Sequence, residues 1–479
     1  MKMNKQIKAL FTVFVVILLA IVVNLSWLQV FGASGIENNA FNKRRIVEEY
    51  AILRGDIISA DNQIAARSVD TSAEYRYQRE YPMGSLFSDV IGYDSWRYGR
   101  TGLEARYNKE LLGSSSKLTV QSLSNRLLGA SKKGNSILMT LDSRVQRCAA
   151  EALDGRKGAV VAMDSKTEAV LAMVTSPTYD PNAAIPLPGR DNQAQWDAIN
   201  ADPNRPLFNR ATSGLYPPGS SFKVVTAAAA LDQGIVTPDT PFDCAGKLPV
   251  SGYSIYDFNK KSHGRLDFAQ ALILSCNITF AQVGMNLGAP ALVKYAEMFG
   301  FNKPMPLDLP TVASQVQEAG EMDPVALASA SFGQGQDLAT PVEMAVVAST
   351  IANEGVMMRP YMVQEIRDYN NRIIDRVEPG QIRQVVDSQT AITLTDIMVN
   401  VVEKGTGTSA RIDGVEVAGK TGTAEVENGK PHAWFICFAP ARDPKVAVAV
   451  IVENGGEGGK TAAPIARKVL QMALKVNTQ

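Results

Sequence analysis

The chain has 479 residues and a mass of 51.6 kDa, more than one small domain holds, so at least two folded units are expected. Lys plus Arg and Asp plus Glu both number 48, a balance without the basic excess that nucleic-acid binding needs, which excludes DNA and RNA as partners. Hydrophobic residues at 46% and charged residues at 20% exclude whole-chain disorder.

An apolar stretch from Ala9 to Phe31 follows Lys2, Lys5 and Lys8. It exceeds the roughly 7 to 15 apolar residues of a cleavable signal peptide and is long enough to cross a bilayer as a helix. The basic start puts the N-terminus in the cytoplasm, although Lys43, Arg44 and Arg45 reduce the asymmetry. Residues 1–33 are therefore read as a cytoplasmic tail and signal anchor. The rest has no second spanning run and is expected outside the cytoplasm.

Residues 34–140 are comparatively polar, with β-like runs such as ILRGDIISA, and read as a small separate module. The turn signal KKGNS at 132–136 and the run ILMTL precede Asp142, a cap for a helix through Ala152, which places a boundary near residue 140. Residues 141–479 form the second unit. Its strands are expected at 158–163 and 169–174 as a hairpin, and again at 415–423, 433–438 and 445–452. A helix over Ala462–Val476, with Pro464 in its first turn, closes the chain. Residues 180–410 carry mainly helical patterns. The fold class is α+β: an antiparallel sheet flanked by helices, with a helical lobe inserted and the chemistry where the two meet.

In LYPPGSSFKVVTAAAALDQG, two prolines and a glycine lead to Ser220 at the start of a helical run. Lys223 falls one turn on, within expected reach of the Ser220 hydroxyl. A serine hydroxyl attacks only when a base takes its proton, and lysine serves only when its pKa is lowered. Taken alone, this pair reads as a capping serine beside a solvated lysine. Ser275-Cys276-Asn277 occupies the break between two helical runs, where short polar side chains can face one cleft; by itself it is an ordinary turn. Lys420-Thr421-Gly422-Thr423 closes a strand, joining a cation, two hydroxyls and a glycine that admits a ligand to the backbone, a set suited to a carboxylate.

The three occur in the order SxxK, SxN, KTG, the signature of penicillin-binding proteins and class A β-lactamases, and the chain resembles that superfamily. The resemblance spans nearly the whole chain and points to class B penicillin-binding proteins, the monofunctional D,D-transpeptidases, of the compact actinobacterial and Gram-positive type. RGDIISADN at 54–62 and GRTGLEARYNKEL at 99–111 resemble the family's N-terminal pedestal or dimerisation module. FGQGQDLATPVEMA at 332–345, GTGTSA at 405–410 and HAWFICFAP at 432–440 are similar to further family segments. Cys276 in SxN and the approximate first pedestal motif depart from the pattern without changing a catalytic side chain.

The resemblance implies that Ser220 attacks the bond between the terminal D-alanines of a stem peptide, with Lys223 as base, its proton repelled by the charge of Lys420. It further implies that Ser275 relays a proton, Asn277 holds Lys223 and the substrate amide, and Lys420, Thr421, Gly422 and Thr423 bind the terminal carboxylate. The oxyanion would rest on the backbone N–H groups of Ser220 and Thr423. β-Lactam antibiotics would acylate the same serine. No cofactor or metal is called for, and a polytopic glycan polymerase in the membrane is the implied partner. A D,D-carboxypeptidase and a non-catalytic scaffold of a wall-synthesis complex remain the alternative functions; a soluble β-lactamase fits the anchor and pedestal poorly.

His263 and His432 are too few for a multi-histidine metal site. His432 lacks an acidic orienter and is given no catalytic role. NGGEGGK at 454–460 lacks the spacing of a phosphate loop and reads as a connection. Cys148, Cys244, Cys276 and Cys437 have no CxxC spacing and are expected as unpaired, mostly buried thiols.

Overall fold

The computed structural model describes residues 2–27, 43–71, 75–114, 133–186, 192–427 and 429–477. The end of the expected span (28–31), the start of the expected module (34–42) and Lys132 of the turn signal lie outside them. Helix α1 (Lys2–Trp27) presents its apolar side chains outward, and Asn4–Trp27 is long and apolar enough to cross a membrane. At 1.5 Å per residue such a segment spans about 36 Å, against roughly 30 Å of hydrocarbon.

Six strands form the first sheet, ordered Ile373–Arg376, Val363–Arg367, Ser136–Met139, Ile57–Ile58, Ile64–Asp70 and Tyr77–Glu80. Ile57 pairs in parallel with Ile137, and both are fully buried. The polar N-terminal segments thus share a hydrogen-bonded sheet with strands near residue 370. An ion network joins the two segments quoted at 54–62 and 99–111. Glu104, fully buried, accepts from Arg54 Nε and Arg79 Nε, both at 2.7 Å, and Asp94 accepts from Arg100 Nε at 2.6 Å. Such charges are tolerated inside because each is matched; removing one partner costs about 3–5 kcal/mol.

From Asp142, which accepts from Arg144 N and Val145 N, the chain runs through α2 (Ser143–Leu153), β1 (Gly158–Asp164) and β2 (Val170–Ser176). The helical lobe then contributes α3 (Lys223–Asp232), α4 (Phe268–Leu274), α5 (Asn277–Leu287), α6 (Pro341–Ala352) and α7 (Ser388–Lys404). The chain returns through β3 (Ala418–Ala424), β4 (His432–Ala439), β5 (Val446–Val452) and α8 (Gly458–Asn477). The second sheet has the order β3-β4-β5-β1-β2, antiparallel throughout.

Helices α2 and α8 cover one face of this sheet and α6 the other. That is why β5 reads VAVAVIV without a polar alternate: every residue is buried. Each fully buried Val or Ile side chain contributes about 1.5–3 kcal/mol. Helix α8 begins at Gly458, four residues before the expected start, so Pro464 lies inside it. The early start follows from docking. A Cβ on Gly458 would lie 2.2 Å from Trp434 O and 2.4 Å from Gly422 O, so the glycine lets the helix begin against β3 and β4.

Candidate active site

The turn that carries Ser220 is built by contacts on both sides. Gly219–Ser221 form a single 3-10 turn leading into α3, and Ser221 Oγ donates to Pro218 O at 2.6 Å. Trp434 Nε1 on β4 donates to Pro217 O at 3.0 Å, and Gly219 N donates to Gly333 O at 2.9 Å. HAWFICFAP and FGQGQ therefore hold the turn from opposite sides. Strand β3 presses against it: a Cβ on Gly422 would lie 2.9 Å from Pro218 O and 3.2 Å from Ser221 N. Ser220 is left half-buried, facing a cleft of about 1050 Å³.

Helix α3 is apolar around most of its circumference, and Lys223 through Ala230 are all buried. Lys223 Nζ donates to Ser275 O at 2.6 Å and Asn277 Oδ1 at 2.7 Å, with Ser275 Oγ at 3.3 Å. These groups, and not the expected Ser220 hydroxyl, are its hydrogen-bond partners. Phe280 and Phe332 lie under the ammonium at 5.4 and 6.0 Å.

Ser275 is the left-handed residue (φ 63°) that ends α4, and Cys276 caps α5. A non-glycine residue there costs about 1–2 kcal/mol, and the reversal points both the carbonyl and the hydroxyl of Ser275 at the lysines. Asn277, the first residue of α5, donates its backbone N–H to Asp257 Oδ1 at 3.1 Å. Cys276 is joined to Cys244 by a disulfide, correcting the expectation of four free thiols; Cys148 and Cys437 are free. The crosslink closes 32 residues of chain, worth about 3–4 kcal/mol in lost unfolded-state entropy. Sequence spacing could not reveal it, because the pairing is made by the fold.

Register on β3 sets the last motif. Lys420 pairs opposite Ile436 and Gly422 opposite Trp434, so a one-residue slip would turn Lys420 to the other face. Lys420 Nζ donates to Ser275 Oγ at 2.8 Å and to Thr421 O at 3.0 Å. Thr421 Oγ1 shares a 2.7 Å hydrogen bond with Thr406 Oγ1 from GTGTSA, and Thr423 Oγ1 accepts from Gly458 N at 3.4 Å. Thr421 and Thr423 line the cleft with Ser220, Ser275 and Asn277.

Two amines, each fully buried, meet one serine hydroxyl. Burial lowers Lys223 to about 7 against the opposing pull of Asp257. Lys420 is pushed well below its usual value by burial and then by Lys223. The expected repulsion is present, but it acts on Lys420; what lowers Lys223 is desolvation. A neutral Lys223 donates to two carbonyl oxygens and keeps a lone pair for a hydroxyl proton.

His432 Nδ1 accepts from Asn454 N at 3.0 Å and its ring packs edge-on against Tyr216, a structural setting. Sequence reasoning gave no role to Thr406, Gly333, Trp434 or Asp257. The first three lie in segments already quoted for their resemblance, so a signal existed without an assignment. Asp257 had none.

Residues 158–471 match the family described as the penicillin binding protein transpeptidase domain, and residues 54–137 the penicillin binding protein A dimerisation domain. The chain is 38% identical over 495 residues to the peptidoglycan D,D-transpeptidase PbpA of Mycolicibacterium smegmatis, covering 99% of each chain. Among solved structures, it is similar to the imipenem acyl-enzyme complex of penicillin-binding protein A from M. tuberculosis, with a TM-score of 0.84 at 38% identity, covering 89% of this chain and 100% of that one. The D,D-transpeptidase domain of a peptidoglycan glycosyltransferase from Eggerthella lenta gives a TM-score of 0.79 at 39% identity, covering 88% and 98%.

Proposed function

The chain belongs to the penicillin-binding protein transpeptidases and is a serine-type peptidoglycan D,D-transpeptidase, and from that premise we propose how its residues divide the work. Neutral Lys223 takes the Ser220 proton as Oγ attacks the carbonyl between the two terminal D-alanines of a stem peptide. Backbone N–H groups of Ser220 and Thr423 receive the oxyanion. On collapse the C–N bond breaks, and the departing D-alanine amine takes a proton relayed through Ser275 from Lys223. An amine of a second stem peptide then attacks the ester carbonyl, and Ser220 recovers its proton. Asn277 orients Lys223 and the substrate amide, and Lys420 with Thr421, Gly422 and Thr423 binds the terminal carboxylate, whose arrival favours the charged form of Lys420. A β-lactam enters the same sequence, and its ring nitrogen is the tethered leaving group.

The observation that carries this reading is the convergence on Ser275, whose hydroxyl lies 2.8 Å from Lys420 Nζ and 3.3 Å from Lys223 Nζ. The test is intact-protein mass spectrometry with benzylpenicillin. An adduct of one antibiotic mass is expected on the native protein and none on Ser220→Ala; an adduct that persists in the variant would remove Ser220 from its role. Product analysis with a donor peptide and an acceptor amine separates cross-linking from hydrolysis.

The apolar helix Asn4–Trp27 supports a single-pass anchor. We place the catalytic unit, residues 141–479, and the pedestal, residues 34–140, outside the cytoplasm, where the substrate is. The polytopic glycan polymerase inferred as partner would meet the chain through α1 and the pedestal.

A further inference from the structure

We propose that Asp257, which belongs to none of the three motifs, is a positioning residue for acylation: one carboxylate holds the Ser275-Cys276-Asn277 turn and supplies the negative charge facing Lys223. The proposal rests on the reading of Lys223 as the base.

Asp257 follows the strand Tyr253–Tyr256 and is buried. Its Oδ1 accepts from Asn277 N at 3.1 Å and from Phe258 N at 2.8 Å. The carboxylate therefore sits on the N-terminus of α5, where backbone N–H groups and the helix dipole favour an anion. Its Oδ2 lies 3.4 Å from His263 Nε2 and 3.3 Å from Cys244 Sγ, the half-cystine bonded to Cys276. One side chain thus touches both Asn277 of the turn and Cys244, the half-cystine that tethers Cys276.

Among the described residues, Asp257 is the one acid whose charge acts on Lys223, and it acts to keep the lysine protonated. The charged groups around it are Lys223 on α3, His263 and, beyond His263, Lys261. Cys244 and Cys276, being bonded to each other, do not titrate. Burial alone would drive Lys223 further down, leaving a weaker base. Asp257 opposes this and holds it at about 7, where the free base is both populated and able to take a proton.

Asp257→Asn keeps an acceptor for Asn277 N and Phe258 N while removing the charge. The experiment measures the second-order acylation rate of the full-length protein in detergent by a fluorescent penicillin, from about pH 5.5 to 9. The acidic limb of the profile should move down by about one pH unit in Asp257→Asn, so the ratio of rates at pH 6 and pH 8 should rise about fivefold. A limb that stays in place while the rate falls equally at every pH would overturn the proposal, leaving Asp257 a cap on the turn. Asp257→Ser is the second neutral variant if the first does not fold. Failure of both to fold would assign Asp257 to folding alone and likewise overturn it. A native profile flat through pH 7 would overturn the assignment of Lys223 itself, and the proposal with it, a result distinct from an unmoved limb.

Discussion

At the scale of the residue, the property that matters most is the protonation of a buried lysine. Lys223 sits at about 7 in the folded chain against 10.5 for an ordinary lysine. Acylation by benzylpenicillin is therefore expected to rise with pH through about 7 and level off above it, measured as the rate of adduct formation. The same shift has a stability consequence of opposite habit to a salt-bridged lysine. Between about 7 and 10.5 the unfolded chain binds the proton that the folded chain has released, so this group's contribution to stability grows as pH rises through that window.

At the scale of the element, function depends on two edges brought closer than side chains normally allow. β3 passes the Ser220 turn at the distance of a glycine, with only 2.9 Å between a Cβ on Gly422 and Pro218 O. Gly422→Ala is expected to push the strand and turn apart, destabilising by about 1–3 kcal/mol and slowing acylation about tenfold or more. Thermal melting and the acylation rate check the two effects separately, and a variant that melts as native yet acylates slowly locates the damage at the site. Helix α4 adds its own device: the capping box of Asp267 and Gln270 starts the helix, and left-handed Ser275 ends it. Both ends are defined locally, so the serine arrives at a set angle to α3.

At the scale of the molecule, several carboxyls are carried so deep into the core that desolvation outweighs every opposing influence on them. Glu343 on α6 is fully buried, with Oε1 unpartnered, and burial raises it to about 8. Asp89 is likewise raised to about 8, and Asp337 and Glu168 well above their usual values. These groups bind protons in the folded chain that the unfolded chain has lost, so stability from them falls as pH rises, for Glu343 from about 4.5 to about 8. Glu343→Gln should flatten that fall, gaining about 1–3 kcal/mol over the native protein at pH 8.5 and little at pH 5, read as the difference in melting between the two pH values. Equal losses in both proteins would place the titrating groups elsewhere.

Much of this architecture was written in local pattern. Apolar runs marked the strands of the second sheet, Asp142 marked a helix start, and three short motifs, taken together in their order, pointed to the chemistry. Each is a pattern along the chain, within a few residues or in the order of short motifs, so sequence alone suffices. What only the tertiary structure decided depends on distant residues meeting: the Cys244–Cys276 crosslink, the sheet shared between residues 57–80 and 363–376, and the start of α8 on β3 and β4. The electrostatics belong to the same class. Desolvation by the assembled core lowers both lysines, and Asp257 acts on Lys223 across a turn that no spacing rule connects to it.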